Sequence, residues 1–243
     1  MTAQNDSDGA GRGSDSAPAG ARGRRPTDMM LFERWQEGDG SSGQRLLRRH
    51  FDSIHRFFAS KIDRDVEELV QNTFLACVKS RDRFQKKSSF RTYLFAIARR
   101  QLFRHFRDYY GKGRDIDFGV TSIADLDTGL GTKLVHSEER ALLARALSTL
   151  PVNQQLLLEL YYWEEMNTGQ LAEVFEVSPS TVSTWLFRAR AALRQDMQRQ
   201  AQASRPADES IEGFDTWARG LENRAELRQH SEVAARLRAN RSG

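Results

Sequence analysis

The chain has 243 residues, 39% of them hydrophobic and 29% charged, which allows one or two small folded domains plus tails. Its net charge of +4 and isoelectric point near 9.4 are only mildly basic, so any attraction for nucleic acid must come from clustered charge and not from the total. The single cysteine, Cys77, excludes a disulfide framework and any multi-cysteine zinc site, and no apolar run reaches the ~20 residues of a membrane span.

Residues 1–27 are rich in Gly, Ser, Ala, Asp and Arg, show no periodicity and lack the apolar stretch of a secretory signal. They read as a disordered tail on a soluble, cytoplasmic protein. A helical pattern begins at Met29 with Leu31, Phe32 and Trp35, breaks at GDGSSG, and resumes with Leu46, Leu47, Phe51, Ile54, Phe57 and Phe58. A third helix is expected from Asp65 to Val78, with Val66, Leu69, Val70, Phe74 and Val78 on one side and Cys77 as a small buried hydrophobe.

The segment from Arg83 to Arg107, RFQKKSSFRTYLFAIARRQLFRHFR, carries Arg83, Lys86, Lys87, Arg91, Arg99, Arg100, Arg104 and Arg107 without one acid. An ordinary solvated helix face mixes signs to gain i,i+4 pairs, so this charge points to phosphate. Aromatic rings threaded through it could stack on unpaired bases, at about 1–3 kcal/mol per base. Leu94, Ala98 and Leu102, with Phe95 and Phe106 nearby, fall on one helical stripe, which assigns most of the rings to a hydrophobic core. Tyr93 is the best candidate to meet a base, and Ser88 or Ser89 the candidate helix cap.

Residues 111–136 are Gly- and Asp-rich and read as a flexible linker, although Phe118, Val120, Ile123 and Leu126 are apolar enough for part of it to dock. Helix resumes at Glu138, where Leu142, Leu143, Ala146, Leu147 and Leu150 form a stripe that Pro151 ends. Asn167 then caps a short helix bearing Leu171, Ala172 and Phe175. Ser178 and Pro179 start another, and two short helices with this turn form a helix-turn-helix. Ser178, Ser180, Thr181, Ser183 and Thr184 supply short hydroxyls for phosphate or base edges, followed by Trp185, Arg188, Arg190 and Arg194, while Val182, Leu186, Ala189 and Leu193 form the inner face. Beyond Met197, Ile211, Phe214, Trp217, Leu221 and Leu227 stand in a charged background that reads either as a weakly ordered tail or as an amphipathic docking helix. No alternating strand pattern occurs. The fold class is therefore all-α: two small helical domains joined by a flexible linker, with disordered or partly helical tails.

Taken together, DVEELVQNTFLACV (Asp65 to Val78), the FRTYLFAIARRQLFRHFR run (Phe90 to Arg107) and the segment Leu150 to Leu193 resemble the second and fourth domains of bacterial RNA polymerase sigma factors of the extracytoplasmic-function type. The later segment matches through Leu150-Pro151, Leu171-Ala172-Glu173 and the run Ser178 to Arg190. The resemblance implies a region-two-like domain over 28–110, a linker over 111–136, a region-four-like domain over 137–200 and an extension over 201–243. It implies that Asp65, Glu67, Glu68, Leu69, Gln71, Asn72 and Phe74 meet the clamp coiled coil of core polymerase. Lys86, Lys87, Ser88, Arg91, Thr92, Tyr93, Arg99, Arg100, Arg104 and Arg107 would meet the minus-ten element, duplex and then melted. The helix-turn-helix would meet the minus-thirty-five element, with the polymerase flap as a further contact, and the family admits an anti-sigma factor as partner.

The sequence departs from the family pattern at Tyr93, where Trp is usual, and at Arg100, where Asn is usual. Ser183, Trp185 and Phe187 replace basic residues, and Asn153 and Gln155 stand where basic residues often meet phosphate. A promoter-specificity subunit is thus the expected function, with a stand-alone helix-turn-helix repressor or activator as its rival. The acidic helix beside the basic aromatic one speaks against that rival, which needs neither. Without paired carboxylates in a metal-binding pattern, or a nucleophile beside an evident base, no enzyme, metal or cofactor is expected.

Overall fold

Asp39 shows how local chemistry starts these helices: its carboxylate accepts from the backbone N–H groups of Ser41 and Ser42 at 2.9 and 3.1 Å and from both hydroxyls at 2.7 Å. The Ser42 and Ser41 hydroxyls lead in holding that carboxyl down at about 2. The computed structural model describes residues 26–84, 88–111, 115–126 and 138–202. Along them run α1 (Asp28–Gln36), α2 (Gly40–Ala59), α3 (Val66–Ser80), α4 (Phe90–Tyr110), the single turn α5 (Ile123–Leu126), α6 (Glu138–Ser148), α7 (Val152–Tyr162), α8 (Thr168–Phe175) and α9 (Pro179–Gln202). Among the described residues there is no strand, only an isolated bridge between Ser122 and Pro151. No described helix is long and apolar enough to cross a membrane.

Helices α1 to α4 form one unit around Leu31, Phe32, Leu46, Ile54, Phe58, Phe90, Leu94, Phe95 and Leu102. Gly43 is required where α2 crosses α1, because a Cβ there would lie 2.5 Å from the Trp35 ring. Asp28 clamps the same crossing through His50 Nε2 at 2.6 Å and through Arg49. Partial burial alone would raise the Asp28 pKa, but its interactions with His50 and Arg49 overturn that and lower it.

On α3 the buried stripe is Val66, Leu69, Val70, Thr73 and Cys77. This corrects the stripe expected from hydropathy: Val78 is exposed, and Thr73 replaces it inside because its hydroxyl is satisfied by the Leu69 carbonyl at 2.8 Å. Phe51 on α2 is exposed as well, its ring stacked on Phe74 with centroids 6.3 Å apart.

Helices α6 to α9 form the second unit, with Leu147, Leu156, Leu157, Leu171, Val182, Leu186 and Leu193 inside. Asn167 and Gln170 make a reciprocal capping box at the start of α8, and the Ser178 hydroxyl accepts from Thr181 N–H at 3.1 Å to start α9.

Between the units, residues 115–126 pack instead of spanning open solvent. Ile116, Phe118 and Ile123 are buried, and Phe118 stacks on Phe103 of α4 at 4.0 Å. Their backbone accepts from the start of α7, Val152 N–H to Thr121 O at 2.9 Å and Asn153 N–H to Phe118 O at 3.0 Å. The anticipated docking of Phe118 and Ile123 is thereby given a partner at each end, although Val120 stays exposed. Most of the amino-terminal tail, linker positions 112–114 and 127–137, and the extension from 203 onward lie outside the described residues.

Candidate nucleic-acid interface

Ser89 opens α4, its hydroxyl accepting from Thr92 N–H at 3.1 Å, and the helix then buries Phe90, Leu94, Phe95, Ile97, Leu102, Phe103 and Phe106. Most rings of the basic segment are therefore interior, in agreement with their helical spacing. Thr92 is interior too, at 1% exposed, its hydroxyl 2.8 Å from that of Ser89. Tyr93 is half-buried. Its ring lies 4.6 Å from Phe84, and its hydroxyl meets the Ser80 hydroxyl at 2.5 Å, which ties α4 to the end of α3. Burial first, outweighing the Ser80 bond, raises the Tyr93 pKa. Ser88 is half-buried beside it, and Lys86 and Lys87 lie outside the described residues.

The arginines of α4 divide into two sets. Arg104 and Arg107 are exposed, each with one exposed carboxylate at a loose distance, Asp108 at 3.6 Å and Asp115 at 3.8 Å, and the Arg107 guanidinium also lies 5.2 Å from the Phe118 ring centroid. Such exposed pairs contribute about 0–1 kcal/mol, so these guanidiniums remain open to phosphate. Arg91, Arg99 and Arg100 instead face the second unit. Arg91 pairs with Glu164, Arg100 lies 3.7 Å from Glu176, and Arg99 is sandwiched between the Phe103 and Phe175 rings at 4.5 and 4.9 Å. Desolvation in that sandwich lowers the Arg99 pKa.

The candidate polymerase-binding helix is α3, packed beside α4. Glu67, Glu68 and Gln71 are exposed, Asn72 and Phe74 half-buried, while Leu69 is interior. Asp65 stands at the amino-terminal end of α3 in the left-handed region, with φ of 62° and no side-chain cap bond. Phe51 and Val78, expected from the sequence on apolar helix faces, are exposed, as is Leu75, which was not singled out, and they add apolar surface beside this acidic helix. The missing signal was register: their one-helix hydropathy is that of interior residues.

In the helix-turn-helix, Glu176 makes the turn with φ of 60°, its N–H bonding the end of α8. Ser178 is engaged by Ser180 and Thr181 as well as by the cap bond. Ser183 and Thr184 donate back to the Pro179 and Ser180 carbonyls, both at 3.1 Å, which leaves their oxygen lone pairs outward. Ser180, Ser183, Thr184 and Arg188 are exposed on α9, whereas Trp185 packs edge-on against Phe175. Arg190 turns inward: its Nε donates to the Tyr162 hydroxyl at 2.8 Å and its guanidinium covers the Tyr161 ring at 4.8 Å. Phe187 joins the outward face at 75% exposed, a residue the hydroxyl and charge patterns passed over. Gln155 is interior, bonded to Glu159 at 2.9 Å, and Asn153 is held by the Phe118 carbonyl. Among the described residues no cluster of His, Cys, Asp or Glu could hold a metal ion.

Family models match two stretches of the chain: Sigma-70 region 2 over residues 44–110 and Sigma-70 region 4 over residues 140–193. The ECF RNA polymerase sigma-E factor of Haemophilus influenzae is 24% identical over 181 residues, covering 71% of this chain and 96% of the relative. That of Escherichia coli K12 is 23% identical, covering 71% and 95%. Among solved structures, CnrH in complex with the cytosolic domain of CnrY superposes with a TM-score of 0.51 at 25% identity, covering 69% of this chain and 95% of CnrH.

Proposed function

The chain belongs to the sigma-70 family as a factor of the extracytoplasmic-function type that directs core RNA polymerase to promoters, and on that premise we propose how its surfaces divide the work. Residues 28–110 join polymerase and engage the minus-ten element, 137–200 engage the minus-thirty-five element, 111–136 link them, and 201–243 form an extension.

The acids of α3, from Asp65 to Glu68, meet basic groups of the polymerase clamp, and Phe74 with exposed Phe51, Leu75 and Val78 supplies the apolar contact beneath them. Arg104 and Arg107, both exposed on α4, hold the promoter backbone, joined by Arg100 and Arg91 when these leave Glu176 and Glu164 and by Arg99 when it leaves the Phe175 ring. The helix start around Ser88 and Tyr93, with Lys86 and Lys87, takes bases that leave the duplex, so that stacking offsets an unpairing cost of a few kcal/mol. No catalytic residue is required for that step. On α9, Ser180, Ser183, Thr184 and Arg188 meet base edges and phosphates, and Phe187 offers its ring to a thymine methyl.

The observation that carries this reading is the adjacency of an exposed acidic α3 and an outward-basic α4 in one packed unit, followed by a capped helix-turn-helix. A protein partner, as CnrH has in its complex with the cytosolic domain of CnrY, is proposed as its regulator. Its work would lie in the bacterial cytoplasm, at the nucleoid through polymerase. In vitro transcription with purified core polymerase on a genomic fragment library tests it. Promoter-directed initiation only when this protein is added is the expected result, and duplex binding without polymerase binding would favour a stand-alone regulator.

A further inference from the structure

The arginines of α2 form a second cationic row that the assignments above leave unused. The helix carries Arg45, Arg48, Arg49 and Arg56 against one acid, Asp52. Arg45, Arg49 and Arg56 recur at helical spacing, which sets them on one side of α2, with Arg48 beside them. Arg45 and Arg48 are exposed, and among the described residues neither has a carboxylate partner. Asp52 is exposed as well, yet it pairs with neither Arg48 nor Arg49, although a solvated helix face ordinarily closes such pairs. Arg49 is fixed where the chain enters α1: its guanidinium meets Asp28 and donates to the Pro26 carbonyl at 3.0 Å. Just ahead of Pro26 the sequence adds Arg22, Arg24 and Arg25.

The position of this row selects its ligand. The His50 ring, next to Arg49, lies 5.6 Å from that of Phe90, the first residue of α4. At the other end of the row, Arg56 shares Glu164 with Arg91 of α4. The α2 row therefore lies beside the start of α4, where Ser88 and Tyr93 are assigned to bases that leave the duplex. Arg104 and Arg107, assigned to duplex phosphates, stand about 20 Å further along α4 than Arg91. Nucleic acid lying along α4 thus meets α2 only past the point of base capture, as an unpaired strand. From Arg56 to Arg45 the row runs about 16 Å, a length over which such a strand carries several phosphates.

We propose that Arg45 and Arg48 of α2, flanked by Arg49, hold the sugar-phosphate backbone of the unpaired DNA strand that leaves the base-capture site at the start of α4. The inference deepens the assignment of α4 to promoter opening and rests on it. Backbone and not base is the ligand, because the exposed ring nearest in sequence, Phe51, is stacked on Phe74 of α3. Each free guanidinium presents a planar fork that matches two phosphate oxygens. A contact made to the unpaired strand alone shifts the equilibrium towards the open form.

The test uses the full chain and labelled random-sequence probes: a blunt duplex of about 20 base pairs, and the same duplex with a single-stranded overhang of about 12 nucleotides, 5′ or 3′. Affinity is read by fluorescence anisotropy over a range of salt for the unaltered factor, Arg45→Gln/Arg48→Gln and Arg45→Lys/Arg48→Lys. Arg64→Gln/Arg145→Gln removes equal charge at exposed sites elsewhere and is the control. Glutamine suits a helix about as well as arginine, so circular dichroism and melting temperature should not change.

In the unaltered factor an overhang should tighten binding. The glutamine pair should lose about tenfold on that overhang probe at about 0.15 M salt, and its log K against log salt should be shallower by about 1.4, since each single-strand phosphate contact contributes about 0.7. Its affinity for the blunt duplex should stay within about twofold of the control's, and the lysine pair should recover most of the overhang affinity. Equal losses on blunt and overhang probes, no loss beyond the control's, or no gain from either overhang in the unaltered factor overturns the proposal. Promoter-directed transcription with core polymerase is measured separately on the unaltered factor. Initiation without the overhang effect sinks this surface alone, whereas the overhang effect without initiation supports the surface and tells against promoter opening at α4.

Discussion

Lys61 and Glu159 meet in the interior although 98 positions separate them in the chain. The ammonium at the end of α2 has no exposure, and the carboxylate that neutralises it belongs to α7, across the boundary between the two helical units. Amine acylation followed by mass spectrometry should therefore modify exposed Lys79 well before Lys61. The protection of Lys61 amounts to roughly tenfold for each 1.4 kcal/mol by which its buried contact is favoured over local opening. Glu159→Gln should abolish most of it. Equal labelling of the two lysines in the unaltered protein would show that the pair does not persist in solution.

Arg104→Ala with Arg107→Ala removes two exposed guanidiniums of α4. Promoter complexes should weaken and their log K against log salt should become shallower by about 2, since each phosphate contact contributes about 0.9. Far-UV circular dichroism and affinity for core polymerase should not change. A matching loss of polymerase binding would place these arginines against protein instead of DNA.

Phe187→Ala should leave stability within about 0.5 kcal/mol, because the ring is exposed and packs on nothing interior. Its effect should appear as reduced discrimination at one A·T pair of the upstream element, about 1 kcal/mol, read by binding to a set of single-pair substitutions. Uniform weakening over all sequences would mean that the ring only contacts the backbone.

Glu176 sustains a left-handed conformation, φ 60°, in the turn of the helix-turn-helix. Glu176→Gly relieves the Cβ clash and should raise thermal stability by about 1 kcal/mol, after allowing for the freer unfolded chain. Glu176→Gln, which keeps the Cβ, should not. Equal melting temperatures for all three proteins would dismiss strain at this turn.

Burial pushes the Cys77 thiol up to about 12 from an ordinary value of 9.0. The folded state holds this proton more tightly than the unfolded state, so the contribution is complete below pH 9 and fades as pH rises from 9 towards 12, at about 1.4 kcal/mol per unit. Native protein at pH 8 should resist a thiol reagent that reacts at once in denaturant. Rapid native labelling would contradict the burial.

Local chemistry was readable wherever neighbours within one turn decide the outcome. The caps at Ser89, Asn167 and Ser178, the helix-turn-helix and the interior rings of α4 all follow from side-chain type and 3.6-residue spacing. On α3 and α2 the same reasoning failed at Val78 and Phe51. Hydropathy says that a side chain prefers burial but not whether a neighbouring helix exists to cover it. The candidate site behaved likewise: which arginines exist was legible, and which are available to a ligand was not.

From its sequence alone this protein is determined to be an all-α sigma factor with an acidic helix, a basic aromatic helix and a helix-turn-helix in that order, because those features rest on local periodicity and motif. The stretch from Arg83 to Arg107 contains no acid, and along the chain it is unopposed charge. Only the tertiary structure supplies its distant counterions, Glu164 to Arg91 and Glu176 to Arg100. Coulomb attraction acts through space and not along sequence, so residues tens of positions away decide which parts of a basic helix are free to hold DNA.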